Sequence, residues 1–544
     1  MGDLHISGRR WQILYFVLAV ALCSVTAVYV LRLFELQVLR GREFRDLADQ
    51  NRFFTRNLPA PRGIFFDRTG VSLVRNTSVY KRATPETASS VYPTFEPIDE
   101  RIALASLAHD EKNVYLDQQR TYPYGPALSS VLGYIGEVTQ EDLASHPEWF
   151  IGESVGKLGL ERVLQNALAG TWGKEVFEMD AKGNILRSIY TEKPIAGYDT
   201  TLTIDASLSA KVYELLAGKK GAVVASDPRT GEVLVLVSSP SFDPTKLAEA
   251  VKDEASPMLN RAINGTYPPG STFKLMTALA GLIKGVVKED TLVDDEGELL
   301  VGGSTFGNWY FRQYGRKEGE LNIVRALQRS NDIFFYKTAE WTGAEDIARM
   351  ARIFHLGVPT GIELYGESAG LIPDPQWKES SLGEKWYLGD TYHMGIGQGD
   401  VSVTPIQLNQ MTAALANGGV WCVPHLLKTT KKQCTDLDID STALRLVLDG
   451  MKAACASGGT AFPFFDGKPV MAACKTGTSE VGAKDEQGRR KTHGWLTVMA
   501  PSKNPEIVVT VLVESNEDVQ FQEGSRDAGP IAKALLMEWF GRKK

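Results

Sequence analysis

The chain has 544 residues, of which 43% are hydrophobic and 23% are charged, and its formal net charge at pH 7 is -7. This length predicts two or three domains, and the composition is typical of a globular protein rather than a disordered or fibrous one. Because nucleic-acid-binding domains usually carry a basic face, the negative net charge argues against a nucleic-acid partner.

An uncharged apolar run near the N-terminus predicts one membrane-spanning helix. The run extends from Trp11 to Leu31 and ends at Arg32. At ~1.5 Å per residue it would measure about 31 Å, close to the ~30 Å hydrocarbon core of a bilayer. A cleaved signal peptide is the alternative, but its apolar region would be shorter, about 7–15 residues. Arginines lie on both sides of the run, so counting positive charges leaves its orientation open.

Five cysteines are present, and one of them, Cys23, lies inside the apolar run. The other four allow three pairings, between which the sequence does not choose: Cys422, Cys434, Cys455 and Cys474. We expect free buried thiols. The chain has no CxxC pair or close Cys/His cluster, and its histidines are scattered, so it offers little support for a zinc site.

The region after the apolar run predicts an α+β module. Apolar residues at helical spacing in 33–55 indicate that the first helix continues beyond the membrane. Between about 56 and 200 the elements are short and rich in Tyr, Pro and Gly, with one helix expected around 158–169.

The rest of the chain predicts one sheet that is assembled from distant segments. Residues 221–227 and 232–239 have the pattern of a hairpin. A long helix-rich region follows, and three strand-like runs return at 469–478, 493–502 and 506–515. Strands at both ends with helices between them indicate an inserted helical subdomain, and the fold class is α+β.

A serine and a lysine three residues apart stand at the start of a predicted helix. Ser271 and Lys274 follow a Pro/Gly turn, and their spacing places both on one face of the first helical turn. A hydroxyl needs a base to become nucleophilic, and a lysine can serve if its pKa falls from about 10.4 towards 7–8. The positive end of the helix dipole would stabilise the charge that develops. The pair alone is weak evidence, because serine at a helix start is usually an N-cap.

Two further motifs follow in the chain, one on a predicted helix and one on a predicted strand. They are Ser330-Asn331-Asp332 and Lys475-Thr476-Gly477-Thr478. Motifs of the types SxxK, SDN and KTG together are the signature of penicillin-binding proteins and class A β-lactamases. The chain therefore resembles these serine acyl-transfer enzymes.

The resemblance implies roles for the residues around the nucleophile Ser271 and its base Lys274. Ser330 would pass a proton between Lys274 and the leaving amine. Asp332 or Asn331 would orient this network or hold the substrate backbone. Lys475 would supply a fixed positive charge. The candidate catalytic residues are thus Ser271, Lys274, Ser330, Asp332 and Lys475.

The remaining motif residues are implied to bind substrate. The hydroxyls of Thr476 and Thr478 would engage a substrate carboxylate, and Gly477 would let the strand approach a ligand closely. The backbone N–H groups of Ser271 and Thr478 would form the oxyanion hole. With Asn331, the candidate substrate-binding residues are Thr476, Gly477 and Thr478.

Longer segments resemble class B penicillin-binding proteins. Segments of the catalytic domain are matched at 221–233, 240–244, 260–274, 395–407 and 493–501, and those of a non-catalytic pedestal at 62–70 and 156–161. The region between anchor and catalytic domain is too short for the glycosyltransferase domain of class A. The implied organisation is a cytoplasmic N-terminus (1–10), a transmembrane anchor (11–31), a pedestal (32–200) and a transpeptidase domain (201–544).

Within class B, the tract 267–274 and the aspartate at position 332 most resemble the elongation type, whereas division and sporulation types usually have Asn there. The implied activity is a D,D-transpeptidase that cross-links peptidoglycan stem peptides on glycan strands made from a lipid-linked precursor, and that β-lactams acylate. Some elongation-type enzymes have a zinc-binding cysteine where this chain has Asn331, so we expect no metal and no cofactor.

The resemblance also implies a partner and a location. The partner is a polytopic glycosyltransferase of the shape, elongation, division and sporulation family, and the catalytic domain would lie outside the cytoplasmic membrane. The alternatives are a division- or sporulation-type enzyme and a membrane β-lactam sensor, although a sensor would need a signalling domain. Hydrolysis as a β-lactamase or carboxypeptidase needs a placed water and stays open. The intact motifs disfavour a purely structural role.

Overall fold

The structure is a computed structural model that describes residues 8–45, 53–84, 94–108, 114–149, 153–180, 185–465 and 471–542. The chain forms two compact units. Unit 1 comprises residues 1–62, 78–118 and 170–197, and unit 2 comprises residues 63–77, 119–169 and 198–544.

The strands form several small sheets and one larger sheet. In chain order they are β1 (Phe53–Leu58), β2 (Phe65–Phe66), β3 (Arg75–Thr84), β4 (Thr94–Ile98), β5 (Val114–Thr121), β6 (Tyr134–Glu137), β7 (Ser154–Leu158), β8 (Gly173–Met179), β9 (Ile185–Glu192), β10 (Thr200–Thr201), β11 (Gly221–Ser226), β12 (Val233–Ser239), β13 (Val293–Asp295), β14 (Glu298–Val301), β15 (Ser304–Gly307), β16 (Gly319–Leu321), β17 (Val420–Cys422), β18 (Cys434–Asp436), β19 (Ala473–Lys484), β20 (Arg490–Ala500) and β21 (Ile507–Val513).

The helices lie mostly in unit 2. They are Gly8–Phe34, Glu100–Ala108, Pro126–Leu132, Gln140–Ser145, Gly159–Val163, Gln165–Leu168, Ala206–Leu215, Leu247–Lys252, Lys274–Lys284, Trp309–Tyr314, Ile323–Arg329, Asp332–Thr342, Ala344–Ile353, Pro375–Leu382, Leu388–Gly395, Pro405–Ala416, Ser441–Cys455 and Gly529–Gly541, with a 3-10 turn at Gly270–Thr272 and π-helical turns at Glu35–Leu39 and Gly524–Ala528.

In unit 1, the N-terminal helix is long and apolar enough to cross a membrane. The candidate span is Arg9–Leu39, which contains the predicted 11–31. Its large apolar side chains are exposed, which suits lipid contact. The helix does not reach residue 55 as predicted, because Phe53–Leu58 is a strand paired with β8; residues 46–52 lie outside the described chain.

The larger sheet of unit 2 is antiparallel and has the strand order β12-β11-β21-β20-β19. It joins the hairpin at 221–239 to three strands from the end of the chain, as the sequence predicts. Every residue of β21 is buried, because both faces of this central strand are covered. The helices 206–215 and 529–541 pack on one face, and the inserted helical subdomain packs on the other. The predicted α+β class is confirmed.

Two details differ from the sequence prediction. The helix expected at 158–169 is divided into Gly159–Val163 and Gln165–Leu168, because Leu164 leaves the helical conformation at φ -102° and ψ 18°. The expectation of free thiols is also wrong, since both disulfides form. Cys422 and Cys434 face each other in the β17–β18 pair. Cys455 ends the helix that packs beside β19, which carries Cys474. Cys23 is free and exposed.

Candidate active site

The nucleophile candidate lies on a tight turn at the start of a buried helix. Gly270–Thr272 is a 3-10 turn, and the helix 274–284 begins directly after it. Gly270 has a φ of +54°, and a Cβ there would lie 2.8 Å from the carbonyl oxygen of Thr478, so glycine is required. Ser271 is partly exposed, whereas Lys274 is completely buried.

Lys274 is held by the second motif. Its Nζ donates to Asp332 Oδ1 at 2.6 Å and to the backbone oxygen of Ser330 at 2.7 Å. Burial lowers the pKa of Lys274, and the negative charge of Asp332 opposes that decrease. The amine is therefore desolvated and held in a fixed orientation, on the helix that begins directly after the turn of Ser271, which suits a general base.

Ser330 bridges two lysines. Its Oγ accepts a hydrogen bond from Lys475 Nζ at 2.8 Å and lies 3.4 Å from Lys274 Nζ. Ser330 follows the helix 323–329 with a φ of +53°, a left-handed conformation that is unfavourable for serine. This backbone bend brings both the hydroxyl and the carbonyl of Ser330 to the lysines.

Lys475 is also completely buried, on β19. Besides Ser330 Oγ, its Nζ donates to the backbone oxygen of Thr476 at 3.0 Å. Burial, and next the positive charge of Lys274, lower the pKa of Lys475 well below its usual value. Two ammonium groups that are buried next to each other repel, so the state in which only one of the two lysines is protonated is favoured.

Asn331 is bonded to partners inside the protein. It is completely buried, its Oδ1 accepts from the backbone N–H of Phe334, and its Nδ2 donates to Asp295 Oδ2 at 3.0 Å and Glu318 Oε2 at 3.2 Å. All these partners belong to the protein itself. Asn331 is the N-cap of helix 332–342, which suits the predicted orienting role, and its contact with substrate stays a prediction.

The third motif presents one free hydroxyl to solvent. Thr478 is exposed on β19, which is an edge strand of the sheet. Thr476 is nearly buried, and its hydroxyl donates to Thr460 Oγ1 at 2.8 Å. Of the two threonines predicted to engage a carboxylate, Thr478 is the one that a ligand can reach without breaking a hydrogen bond inside the protein.

Gly477 is required by packing against the nucleophile turn. A Cβ at Gly477 would lie 3.0 Å from both the carbonyl oxygen of Pro269 and Cγ2 of Thr272, and 3.1 Å from Cβ of Trp495. The motif predicts a close approach of this strand to a ligand. The close approach in the structure is to the turn that carries Ser271.

Several residues outside the three motifs support the site. Tyr267 donates its hydroxyl to Glu514 Oε1, and Trp495 Nε1 donates to the Pro268 oxygen at 2.9 Å, so both brace the Pro/Gly turn. Burial lowers the pKa of His493, which packs edge-on against Tyr267, to about 4. The segments 260–274 and 493–501 resemble family segments, but the sequence does not indicate these contacts.

The surroundings of Asn331 do not fit zinc. They supply two carboxylates, from Asp295 and Glu318, and amides from Asn308 and Asn331 itself. Zinc sites in proteins are built mainly from cysteine and histidine, and here the carboxylate oxygens already accept hydrogen bonds. Among the residues that the structure describes, no group of three or more His, Cys, Asp or Glu side chains could hold a metal ion.

Comparison with known families gives two matches. Residues 221–537 match the penicillin-binding protein transpeptidase domain, and residues 94–202 match the penicillin-binding protein dimerisation domain. The first match alone covers more than half of the chain.

Individual relatives resemble the whole chain. The peptidoglycan D,D-transpeptidase MrdA of Escherichia coli K12 is 31% identical over 94% of this chain and 91% of the relative. The penicillin-binding protein PBP2 of Helicobacter pylori, solved in complex with MreC, has a TM-score of 0.79 at 25% identity and covers 90% of this chain and 99% of that chain. A chain from a peptidoglycan synthase complex that coordinates polymerization and crosslinking has a TM-score of 0.75 at 29% identity, covering 98% of both chains.

Proposed function

The chain belongs to the penicillin-binding protein transpeptidase family and is an elongation-type peptidoglycan D,D-transpeptidase, and we propose that it acts through an acyl-enzyme on Ser271 with Lys274 as the base. The observation that supports these roles most strongly is the position of Ser330. Its hydroxyl lies between two buried lysines, one of which is a helical turn from Ser271.

In acylation, Ser271 Oγ attacks the carbonyl carbon of the penultimate D-alanine while neutral Lys274 takes the hydroxyl proton. The C–N bond then breaks, and Ser330 passes a proton to the leaving D-alanine amine. In the second step the amine of a neighbouring stem peptide attacks the ester, and the Ser271 hydroxyl regains its proton. A β-lactam would enter the first step and remain on Ser271.

The lowered pKa of each lysine supports this exchange. Burial favours the neutral form of Lys274, and Asp332 stabilises its protonated form. Neither the neutral nor the protonated form of Lys274 is therefore strongly favoured, so the amine can both accept and release a proton. Lys475 holds Ser330 by a hydrogen bond, and its lowered pKa opposes the fixed positive charge that the motif predicts for it. Asp332 orients the base and has no contact with substrate in this mechanism.

We assign substrate binding to the edge of β19. Alternate backbone groups of an edge strand are free to pair with an extended peptide. The exposed Thr478 hydroxyl would bind the terminal carboxylate of the donor. The N–H groups of Ser271 and Thr478 would stabilise the oxyanion, each contributing about 3–4 kcal/mol. Thr476 and Gly477 support this strand from inside.

The disulfides support an extracytoplasmic location for the catalytic unit. Stable disulfides persist in oxidising compartments and are rare in the cytosol. Both disulfides, Cys422–Cys434 and Cys455–Cys474, belong to unit 2. With one membrane-spanning helix near the N-terminus, residues 1–10 would then be cytoplasmic, 32–200 would form the pedestal and 201–544 the transpeptidase domain.

The similarity to a chain of a peptidoglycan synthase complex supports a membrane partner. We propose a polytopic glycosyltransferase of the shape, elongation, division and sporulation family, contacted by the span near 11–31 and the pedestal. Replacing the span with an unrelated apolar helix should reduce co-purification of this partner. Unchanged co-purification after exchange of both span and pedestal would contradict the proposed interface.

The test of the function is product analysis on uncross-linked glycan strands. The full chain in detergent should release D-alanine and form cross-linked muropeptides that mass spectrometry detects, and Ser271→Ala should form none. A protein that is acylated by penicillin but forms neither cross-links nor free D-alanine would be a sensor.

For substrate binding, Thr478→Val should slow acylation about tenfold to a hundredfold for donors with a terminal carboxylate. Thr476→Val is the matched control, and donors without the carboxylate should be little affected.

A further inference from the structure

A buried carboxylate lies behind the Ser330–Asp332 motif. Asp295, at the end of β13, is 1% exposed. Its Oδ1 accepts a hydrogen bond from the N–H of Gly297 at 2.9 Å, and its Oδ2 accepts from Asn308 Nδ2 at 2.8 Å, Asn331 Nδ2 at 3.0 Å and the N–H of Glu318 at 3.1 Å. Among the described residues no cation forms a salt bridge with it. Burying a charge is costly, and here four neutral donors compensate that cost. Such an arrangement indicates that the carboxylate has a function in this region.

The carboxylate determines how two amides are oriented. Asp295 offers only acceptors, so Asn308 and Asn331 must both point their Nδ2 atoms towards it and their oxygens away. Asn308 Oδ1 then accepts from the N–H of Asp332 at 3.1 Å, and Asn331 Oδ1 accepts from the N–H of Phe334 at 2.9 Å. These are N–H groups of the first turn of helix 332–342, which have no partner within the helix.

This arrangement reaches the base through Asp332. Besides the contact of its N–H with Asn308, Asp332 accepts from the N–H of Trp309 at its Oδ2 (2.9 Å) and from Lys274 Nζ at its Oδ1 (2.6 Å). Asn308 and Trp309 are adjacent in the chain, so a displacement of Asn308 changes both contacts. Asn308 is completely buried, as is Lys274.

We propose that Asp295 is a positioning residue for the transpeptidase reaction: by fixing the orientation of the Asn308 and Asn331 amides, it holds Asp332 against Lys274. Asp295 contacts neither Ser271 nor Lys274 and acts only through the two asparagines and Asp332. The inference rests on the proposed roles of Ser271 and Lys274, and Asp295 adds to them a residue outside the three motifs.

The test compares three variants of the full chain by the second-order rate constant for acylation by fluorescent penicillin, per folded protein. Asp295→Ala should lower this constant about tenfold to a hundredfold, since two buried amides lose their common acceptor. Asp295→Asn still offers one oxygen to both amides and should stay within about threefold of wild type. Asp294→Ala, on the exposed face of the same strand, is the matched control and should be unchanged.

The pH profile distinguishes positioning from simple destabilisation. If Asp332 is held less firmly, it raises the pKa of Lys274 less, so the acidic limb of the acylation profile should move to lower pH in Asp295→Ala. A folded Asp295→Ala protein with the wild-type rate and limb would overturn the proposal, even if it melted at a lower temperature. An equal decrease of the acylation rate constant in Asp295→Asn and Asp295→Ala would overturn it too. The negative charge at position 295 would then be what matters, and not the hydrogen-bond acceptor.

A second variant covers the case in which Asp295→Ala does not fold. Asn308→Asp places a carboxylate against Asp295 Oδ2, so the two groups repel each other and the contact with the N–H of Asp332 weakens. This variant should slow acylation, and a folded Asn308→Asp protein with the wild-type acylation rate would overturn the proposal. If Ser271→Ala were labelled by fluorescent penicillin as fast as the wild type, the proposed function itself would be rejected.

Discussion

Lys475 Nζ donates a 2.8 Å hydrogen bond to Ser330 Oγ across a sequence separation of 145 residues. This contact joins the central sheet to the helical subdomain, and it places the serine hydroxyl beside the amine of Lys274. Ser330→Ala removes the bridge but keeps the backbone carbonyl on which Lys274 also rests.

Ser330→Ala should therefore slow acylation by about a hundredfold or more, because general acid–base groups typically contribute about 10²–10⁴-fold. Stopped-flow acylation with a reporter penicillin measures this constant. Ser209→Ala is the control, since Ser209 is a buried serine bonded to a backbone oxygen outside the site. If the two variants were acylated equally fast, Ser330 would have no part in proton transfer.

The acylation rate should rise with pH through the pKa of Lys274, because only the neutral amine can take the proton. Burial lowers this pKa and Asp332 raises it. Removing the charge in Asp332→Asn should thus move the acidic limb to lower pH, while the plateau falls because Lys274 loses its anchor. A limb that moved to higher pH, or did not move, would mean that another group controls the profile.

Gly477→Ala should impair the site without unfolding the sheet. The added methyl group would press on Pro269 and Thr272, so the turn that carries Ser271 must shift by a few tenths of an ångström. We expect acylation to slow about tenfold or more, since small displacements of reacting groups are costly. Ser479→Ala on the same strand is the control, because the buried Ser479 hydroxyl has no hydrogen-bond partner among the residues that the structure describes. It should keep its rate and melt no lower than wild type.

The two disulfides should differ in their effect on activity. Each closes a short loop, with separations of 12 and 19 residues, and removing either should cost about 2–4 kcal/mol of stability. Cys474 precedes Lys475 on β19, whereas Cys422–Cys434 belongs to a separate two-stranded sheet. Cys455→Ser should therefore also slow acylation, while Cys422→Ser should only lower the melting temperature. Equal acylation by both folded variants would contradict this.

The sequence predicts the central sheet well, because its strands have strong patterns. β21 is apolar apart from Thr510, which suits burial on both faces. The helix predicted at 158–169 is present but interrupted, because periodicity does not reveal the local departure at Leu164. The predicted cysteine state was wrong, since pairing depends on which distant strands and helices meet.

For the site, four of the predicted residues contact one another: Lys274, Ser330, Asp332 and Lys475. Asp295, Asn308 and Trp309 could not be found from the motifs. They lie on or beside short strands and turns, and only the pairing of β13 with β16 and the fold of the following loop bring them to Asp332. For the same reason the buried position of Asn331 was not predicted.

The identity of the acylated residue tests the central claim most directly. After reaction with a fluorescent penicillin, peptide mass spectrometry of the full chain should find one equivalent of adduct on Ser271. Ser271→Ala should lose the label, while Thr272→Ala, which alters the neighbouring residue of the same turn, should keep it. Label that persists in Ser271→Ala, or that maps to Ser330 or another residue in wild type, would contradict the assignment of Ser271 as the nucleophile.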